Sequence, residues 1–541
     1  MASVALVGPE LEENLGLRYI AAALERAGHP STILPLDGTG DLGAVRDAIL
    51  AQQPAIVGLS LAFQWRAMDF FALAVALRDA GYAGKIVGGG HFSAFTWREI
   101  LTEFPEIDLL CRYEAEQTMV DLAGVIDAGG DWRTVGGLGG RADDGSPLET
   151  PLADGPAIDA LAWPDRRGAP IVCLGHPVAA MVASRGCYAR CAFCCIAAWH
   201  GRESEGVRFR VRAVSDVADE MAFLHHEQQV GIFIFHDDDF FVPGGRGGVI
   251  QRLTDLADAL DARGVREFVS VVKARPNDVK PEVFRLMRER LGLNRVFLGV
   301  ETDAVKGLAT LDRRVSSAQN HAAMQVCEDL GLYTCFNLLM FDPDTTIDSL
   351  LPNLAFMERY AHVPFNFGRA ELYAGTPLLA RMQAEGRARG DWLGWDYALN
   401  DPSIQAVFDI AMKLFYARNF AHDALANRLQ GTRFDVEVAA SLHADRFRPE
   451  WRAEAQDCNR TLGLDSAAGL RRIIGFVQEH GPETDPRAFI AAEAPRLREV
   501  EQVINRRASD LEHTVRDAVG AYCRHSRPRA PLSTLALGAS P

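Results

Sequence analysis

Short apolar runs alternate with longer amphipathic segments through the first 125 residues of the chain. The short runs predict buried β-strands, and the amphipathic segments between them predict helices. The strands are expected at residues 3–8, 31–36, 55–61, 85–88 and 108–111, and the clearest helices at 15–27, 68–80 and 116–128. Strands that alternate with helices predict an α/β fold with a mostly parallel, doubly wound sheet.

A second series of strand and helix patterns follows between residues 170 and 390. Its strands are expected at 180–184, 231–236, 268–273, 295–300, 333–340 and 364–372. In βα barrels the reactive groups collect at the C-terminal ends of the strands, so the residues after these runs are the first candidates for chemistry. Beyond residue 391 the pattern is mainly helical, at 404–421, 467–479 and 488–519, and contains no catalytic motif of its own.

These patterns divide the chain into five parts. They are a Rossmann-like domain at 1–135, a hairpin and linker at 136–170, a barrel domain at 171–390, a mainly helical domain at 391–525 and a disordered tail at 526–541. The linker is rich in Gly, Asp and Pro, which favour turns. The tail is small and Pro-containing, as is common at disordered termini.

The charge balance narrows the classes of function that the chain can have. The 541 residues include 56 Lys and Arg and 72 Asp and Glu, for a net charge of −16. This balance argues against a general nucleic-acid binder. The chain has no run of about 18 apolar residues and no N-terminal signal pattern. We therefore expect a cytoplasmic protein that binds neither nucleic acid nor membrane.

Three of the ten cysteines form a C-x3-C-x2-C triplet, Cys187, Cys191 and Cys194. Three thiolates on one tight loop can hold three irons of a [4Fe–4S] cluster and leave the fourth iron open. The alternative is a zinc knuckle with His200 or Cys195 as the fourth ligand. No second CxxC or HxxxH pair follows, which favours the cluster. Cys195 is then a neighbour and not a ligand.

The triplet, with Phe193 before its last cysteine, resembles the signature of the radical S-adenosylmethionine (SAM) enzymes. The resemblance implies a partial (β/α)6 barrel in which the open iron binds the amino and carboxylate groups of SAM. It also implies that one electron from the cluster cleaves SAM to a 5′-deoxyadenosyl radical. An external one-electron reductant such as flavodoxin or ferredoxin would supply that electron.

Other strand ends resemble the SAM-binding motifs of the same family. The acidic run after the second barrel strand suggests that Asp238 or Asp239 accepts hydrogen bonds from the SAM ammonium group, and the sequence does not separate the two. Glu301, in Gly-Val-Glu-Thr, is expected at the ribose hydroxyls, or else in a surface salt bridge. Arg313 is the candidate for the SAM carboxylate because a guanidinium can bind it through two parallel bonds. Its neighbour Arg314 is then a solvated charge.

The sixth barrel strand ends in Arg369, Glu371 and Tyr373. These residues are candidates for catalysis facing the substrate. Equally, the first two can form a packed ion pair and the third a core aromatic. The sequence leaves both interpretations open.

The loops of the N-terminal domain resemble those of the cobalamin-binding domain that precedes many radical SAM cores. The resemblance implies a set of cofactor-binding residues: Asn14, Gly16, Ser60, Gly88, Gly89, Gly90, His91 and Glu114. The DxHxxG motif that supplies an axial histidine in cobalamin-dependent mutases is absent. The loop at 60–66 is therefore expected at the lower face of the corrin, with Arg66 as a cation near cobalt or, alternatively, as an ordinary exposed arginine.

Together these features predict a cobalamin-dependent radical SAM methyltransferase that acts on an unactivated carbon of a small metabolite, in secondary-metabolite biosynthesis. The family implies that one SAM methylates cobalamin and another yields the radical that abstracts a substrate hydrogen. One alternative is a radical SAM rearrangement, cyclisation or oxidation, with cobalamin absent or in another role. Another is a cobalamin- or zinc-binding sensor module.

Overall fold

A computed structural model describes residues 1–152, 155, 157–201, 208–241, 246–421 and 423–520 of the chain. The tail predicted at 526–541 lies outside the described residues. None of the helices in the described part is both long enough and apolar enough to span a membrane.

The N-terminal domain is a seven-stranded sheet covered by helices on both faces. Its strands are Val4–Gly8 (β1), Ser31–Pro35 (β2), Ile56–Ser60 (β3), Lys85–Gly89 (β4), Leu109–Cys111 (β5), Leu138–Arg141 (β6) and Pro147–Glu149 (β7). Its helices are Leu15–Arg26 (α1), Leu42–Gln52 (α2), Ala67–Asp79 (α3), His91–Phe95 (α4), Trp97–Glu103 (α5) and Glu116–Asp127 (α6). Alternate strand residues pack against α1 and α6 on one face and against α2, α3 and α5 on the other.

The strand order of this sheet is β2-β1-β3-β4-β5-β6-β7. The first five strands are parallel, and the hairpin of β6 and β7 extends the sheet antiparallel. The order reverses at β1, between its neighbours β2 and β3. Ligands of doubly wound sheets bind beyond the carboxyl ends of the strands at such a switch point. The loops after β1 and β3 are therefore the expected binding edge.

The second domain is an open half-barrel. Its strands are Ile171–Cys173 (β8), His176–Met181 (β9), Ile232–Phe235 (β12), Val269–Ala274 (β13), Leu293–Glu301 (β14), Tyr333–Phe341 (β15) and Phe365–Arg369 (β16). The order is β16-β15-β14-β13-β12-β9-β8, with six parallel strands and β8 antiparallel at the edge. Ser184–Gly186 (β10) and Phe209–Val211 (β11) form a separate hairpin beside it. The predicted α/β class and partial six-stranded barrel are confirmed.

Helices on the outer face and a helical C-terminal region enclose this sheet. The helices between the strands are Cys195–His200 (α7), Val214–Gln228 (α8), Arg246–Ala262 (α9), Pro281–Arg290 (α10), Val305–Thr310 (α11), Ser317–Asp329 (α12), Ile347–Arg359 (α13) and Pro377–Ala384 (α14). The hairpin of Ala388–Asp391 (β17) and Gly394–Tyr397 (β18) leads to Pro402–Asn419 (α15), Leu425–Leu442 (α16), Pro449–His480 (α17) and Arg487–Val519 (α18).

Helix α16 lies inside the half-barrel, against its concave face. Phe434, Val436 and Val438 pack with the inward-facing residues of β12, β13 and β15. The helix is buried on nearly all sides, so its sequence lacks the one-sided apolar pattern of a surface helix. This is why α16 was not among the helices predicted from periodicity. It fills the bottom of the barrel lumen and leaves the carboxyl ends of the strands for chemistry.

The two domains meet through buried charges. In the loop after β1, Glu13 accepts hydrogen bonds from the backbone of Ala180 in β9 and from Arg166 in the linker, at 2.7 and 2.6 Å. Arg166 also contacts Glu220 of α8 at 2.9 Å, and Glu220 pairs with Arg212 at 2.7 Å. Each charge has an opposite partner, as buried charges require. This network fixes the carboxyl edge of the N-terminal sheet against the half-barrel.

Candidate functional site

The three motif cysteines occupy one loop between β10 and α7. Cys191 is buried, and Cys187 and Cys194 are half-buried. Backbone bonds fix the loop: Ala192 donates to Leu311 at 2.9 Å and accepts from Leu378 at 2.8 Å. Among the described residues, no three His, Cys, Asp or Glu side chains converge at the distances of a single bound metal ion.

Two arginines converge on the central cysteine. Arg313 Nη1 lies 3.0 Å from the Cys191 Sγ, and Arg275 Nη1 lies 3.1 Å from it. Both arginines are buried. Arg275 was missed by the sequence reasoning, although it follows β13 and the strand-end rule could have found it. Arg314 is exposed and pairs with Asp312, as expected of the solvated member of the pair.

These two guanidiniums offset the negative charge of thiolates at a site where burial makes that charge unfavourable. Burial raises the pKa of the Cys187 thiol to about 12, and it raises the pKa of Cys194 well above its ordinary range. Bare thiolates are therefore disfavoured here, and binding to metal deprotonates a coordinating thiol. The arginines place positive charge where a cluster with three thiolates carries negative charge.

The acidic run after β12 separates into three roles. Asp237 is buried and accepts hydrogen bonds from Ala183 and Ser184, so it ties β12 to the loop before the cysteines. Asp239 is also buried, and burial together with nearby Asp278 raises its pKa well above the usual range. The Asp238 side chain is 29% exposed, and its Oδ2 lies 4.0 Å from His200 Nε2. Asp238 is the best-placed acceptor for an ammonium group.

Glu301 ends β14 in an unusual backbone conformation. Its φ is 63°, in the left-handed region that few non-glycine residues adopt. The β14–β15 register also shifts between Leu298 and Glu301. A bulge re-aims the side chain that follows it. Burial raises the pKa of Glu301, while Arg313 and Arg275 oppose that shift. This placement brings Glu301 beside the arginines and not to the surface.

Arg369 and Glu371 form a packed ion pair. Arg369 contacts Glu371 at 3.2 Å and Asp396 at 2.6 Å, and its guanidinium lies over the Tyr397 ring. In β16 the side chains alternate: Asn366 bonds to the lumen helix α16, so Arg369 shares the opposite face. Of the two interpretations that the sequence left open, these contacts support the packed ion pair.

Tyr373 is not part of the ion pair that Arg369 and Glu371 form. It is half-buried, and its carbonyl caps the turn before α14 by accepting from Thr376 at 2.7 Å. Phe193, the aromatic residue before the last motif cysteine and a candidate for cofactor binding, is also half-buried and packs on the barrel core. Both remain candidates for contact with a ligand.

At the binding edge of the N-terminal sheet, several predicted cofactor residues have structural roles. Asn14 caps α1 by accepting from Leu17 at 3.2 Å. Gly88 is buried, and a Cβ there would lie 2.6 Å from Leu61. Gly90 has φ 128°, and a Cβ would lie 2.7 Å from the Ala62 backbone. The backbone approach requires glycine at position 90, whereas Gly88 makes room for the side chains of Leu61 and Leu110.

The other residues predicted at this edge are accessible to a ligand. Ser60 ends β3 and pairs with Gly89 of β4, and both are half-buried. Gly16 is exposed in the first turn of α1. These three residues line the edge without a conflicting structural role.

Arg66 packs inward at this edge, against Leu36, which directly follows β2. It is only 6% exposed, donates to the Leu36 carbonyl at 2.9 Å and pairs with Asp69 at 3.0 Å. This inward packing contradicts the alternative of an ordinary exposed arginine, and the position of the cation near cobalt stays a prediction. The exposed side chains of the loop are Phe63 and Trp65, at 39% and 56%.

An aromatic cluster connects the N-terminal domain to the cysteine loop. His91 of α4 lies edge-on to Trp199 of α7, with 4.7 Å between ring centroids, and Tyr113 lies 4.4 Å from the same Trp199. The Tyr113 hydroxyl is 3.5 Å from His200 Nδ1. Burial lowers the pKa of His91 to about 4 and that of His200 to about 3. Both imidazoles are therefore neutral near pH 7.

Glu114 strengthens the same junction. It is buried and pairs with Arg210 and with Arg185, which stands two residues before the first motif cysteine. Arg185 also pairs with Glu116 at 2.6 Å. Glu114, expected to bind the cofactor, thus holds the β10–β11 hairpin to the N-terminal domain.

The residues at this junction fit the three cofactors. Beside the cysteine loop, Arg275 Nε and Arg313 Nε are buried without hydrogen-bond partners among the described residues. Buried polar atoms normally have partners, and the SAM carboxylate can accept from such donors. At the sheet edge, the exposed rings of Phe63 and Trp65 offer apolar surface for a flat corrin.

Comparisons with known proteins agree with this geometry. The B12 binding domain family model matches residues 3–123, and the Radical SAM superfamily model matches residues 181–354. An uncharacterized methyltransferase of Pyrococcus horikoshii is 24% identical over 370 residues, which are 67% of this chain and 77% of the relative.

Two further relatives match over less than two thirds of their own length. The hopanoid C-3 methylase of Methylococcus capsulatus is 28% identical, over 61% of each chain. The anaerobic magnesium-protoporphyrin IX monomethyl ester cyclase of Rubrivivax gelatinosus is 26% identical, over 58% of this chain and 56% of the relative.

Among solved structures, the cobalamin-dependent SAM radical enzyme OxsB, with aqua-cobalamin and SAM bound, shares the fold. Its TM-score is 0.65 at 16% identity, and the match covers 96% of this chain and 81% of that one.

The protein is therefore a radical SAM enzyme. More narrowly, it is a radical SAM enzyme with an N-terminal B12-binding domain, and its cofactors are a [4Fe–4S] cluster, SAM and cobalamin. This assignment decides against the zinc knuckle and against the sensor module.

Proposed function

We propose that the protein is a methyltransferase that acts on an unactivated carbon of a small metabolite in secondary-metabolite biosynthesis. One observation carries the proposal: α4, at the cobalamin-binding edge, touches α7, which directly follows the cysteine loop, through His91 and Trp199. A methyl carrier and a radical source must both reach one substrate carbon, and this contact brings their two sites together. The methylase relative supports the same chemistry.

The residues of the site divide the work. When bound, the cofactors supply a carbon-centred radical and a transferable methyl group. Cys187, Cys191 and Cys194 would hold the cluster. Asp238 would orient SAM by accepting from its ammonium group, and Glu301 would accept from the ribose hydroxyls.

Arg313 has the most specific role in this proposal. Nη1 is already on Cys191, so its guanidinium would set the charge at the cluster sulfurs while its partnerless Nε remains available to the SAM carboxylate. Helix α16 and the N-terminal domain lie on two sides of the lumen and would limit the access of water to the reaction.

The same chemistry bears on the electron donor and on the cellular compartment of the enzyme. We infer that an external one-electron reductant such as flavodoxin or ferredoxin reduces the cluster, and that the enzyme works in the cytoplasm. All nine described cysteines are free, as is usual in a reducing compartment.

The test is an anaerobic incubation of the reconstituted full chain with low-potential reductant, a small-metabolite extract and SAM deuterated in its methyl group. We expect one metabolite to gain a labelled methyl group, with S-adenosylhomocysteine and 5′-deoxyadenosine formed in amounts equal to that product. The variant with all three motif cysteines replaced by Ala is the control and should yield no labelled product.

A rearrangement, cyclisation or oxidation is the second candidate, because the cyclase relative matches over more than half of this chain. The same incubation separates the two. If 5′-deoxyadenosine forms in step with a product that carries no labelled methyl group, the methyltransferase proposal is wrong and the second candidate takes its place.

A further inference from the structure

A small cavity lies in the barrel lumen, below the level of the cysteine loop. Its walls come from three neighbouring strands and from the loop after β1 of the N-terminal domain. The polar side chains at the cavity are Glu12, His236, Lys273 and Arg295, and the apolar ones include Ile234, Val271 and Phe297. Lys273 precedes Arg275 by two residues on β13, so it faces the same side about 7 Å deeper.

Two cations in this cavity have no carboxylate within 4 Å among the described residues. Lys273 is half-buried, and none of the ion pairs in the described part of the chain includes it. Arg295 is 3% exposed and bonds only neutral groups, the Cys335 thiol at 3.2 Å and the Gln430 amide oxygen of α16 at 3.1 Å. The carboxylates that act on them lie farther away, Asp238 for Lys273 and Glu12 for Arg295. Buried charges are normally paired in direct contact, so two cations without a contacting carboxylate at one cavity indicate a place for an anion.

The other polar groups suit the same ligand. Glu12 Oε2 lies 3.6 Å from His236 Nε2. The cavity therefore contains one carboxylate and two cations, Lys273 and Arg295, and keeps a net positive charge. Burial and the nearby Lys273 charge lower the pKa of His236 to about 3. The imidazole is therefore neutral and can donate one hydrogen bond without adding charge. The cavity has a volume of about 20 Å³, so it takes the end of a ligand and not its body.

We propose that Lys273, Arg295 and His236 form an oxyanion subsite that anchors a carboxylate or phosphate group of the substrate. The proposal rests on the proposed function in that the substrate is a small metabolite of this same barrel. The anchored end lies deep in the lumen, and the body of the substrate extends towards the cysteine loop. Glu12 comes from the N-terminal domain, so this domain forms one wall of the cavity without contributing a cation to the subsite.

The test measures binding of inorganic phosphate and of succinate to the reconstituted full chain by isothermal titration calorimetry. We expect at least one of the two anions to bind saturably, and the one that binds identifies the group as phosphate or carboxylate. Lys273→Met should weaken that binding about tenfold, since a hydrogen bond to a charged group contributes about 1.5–3 kcal/mol. Lys273→Arg keeps the charge and should retain binding.

The matched control is Lys413→Met, an exposed lysine on α15 that should bind the anion as the unmodified protein does. Binding of neither anion, or equal binding by Lys273→Met, overturns the proposal. SAM binding is measured on the same variants and should not change. If Lys273→Met loses SAM affinity instead, the lysine belongs to the SAM site and the subsite is wrong. These titrations measure binding without turnover. Their result therefore stays informative even if the protein proves not to transfer a methyl group.

Discussion

Arg313 donates from Nη1 to the Sγ of Cys191 at 3.0 Å, across 122 positions of sequence. A residue expected at the SAM carboxylate thus also contacts the thiol at the centre of the cluster motif. Its Nη2 is bound to the Gly299 carbonyl, so the guanidinium is fixed between the end of β14 and the cysteine loop. A barrel residue therefore supplies the positive charge next to this sulfur.

Replacing Arg313 should change the redox behaviour of the cluster. Hydrogen bonds to cluster sulfurs help to set the reduction potential, and loss of a positive charge disfavours the more negative reduced state. Arg313→Gln should lower the midpoint potential in a SAM-free redox titration followed by electron paramagnetic resonance. Arg314→Gln removes an exposed charge next to it and is the control. Equal potentials in both variants would contradict this role.

The cysteine triplet should be required for the cluster. Replacement of Cys187, Cys191 and Cys194 by Ala should abolish cluster absorbance and all reductive cleavage of SAM, because no thiolates remain to bind iron. Cys195→Ala should leave both largely intact. Formation of 5′-deoxyadenosine by the triple variant with a low-potential reductant would refute the assignment.

Gly375 should be needed for the contact between the domains. It has φ 76°, and a Cβ there would overlap the Phe95 ring of α4. Gly375→Ala should cost about 3 kcal/mol of unfolding free energy, from backbone strain plus overpacking, and should weaken cobalamin binding. Gly386→Ala has the same backbone strain at φ 68° with open space around it, and should cost about 1 kcal/mol. Equal urea midpoints for the two variants would disprove the contact.

Acid should destabilise the fold partly through His91. Burial lowers its pKa to about 4, whereas an unfolded histidine titrates near about 6.5. The unfolded state therefore binds the proton first, and stability falls as the pH drops from about 6.5 to 4, by up to about 1.4 kcal/mol per pH unit. His91→Gln should reduce that slope in urea titrations across this range. His513→Gln changes an exposed histidine on α18 and should not.

Bound cobalamin should have no histidine on its lower axial face. The DxHxxG motif is absent, and His91 is engaged edge-on with Trp199. The electron paramagnetic resonance spectrum of bound cob(II)alamin should lack nitrogen splitting from an axial ligand, in the unmodified protein and in His91→Gln alike. A split spectrum that collapses in His91→Gln would show that this histidine is the ligand after all.

Local sequence determined the fold class and the centre of the chemistry. Strand and helix periods are properties of consecutive residues, so the alternation in both α/β domains could be predicted to within a few residues at most boundaries. The single cysteine loop could be found for the same reason, because three ligands lie within eight positions.

Tertiary structure decided what each candidate contacts. It separated Asp238 from Asp239 by exposure and buried Arg66 against Leu36. It paired Arg369 with Glu371 and placed Glu114 in an interdomain ion pair. It also brought together residues that no motif connects: Arg275 at Cys191, and Glu12 at His236. Burial, bulges that re-aim side chains, and contacts between distant segments depend on how the whole chain packs, and no local pattern encodes them.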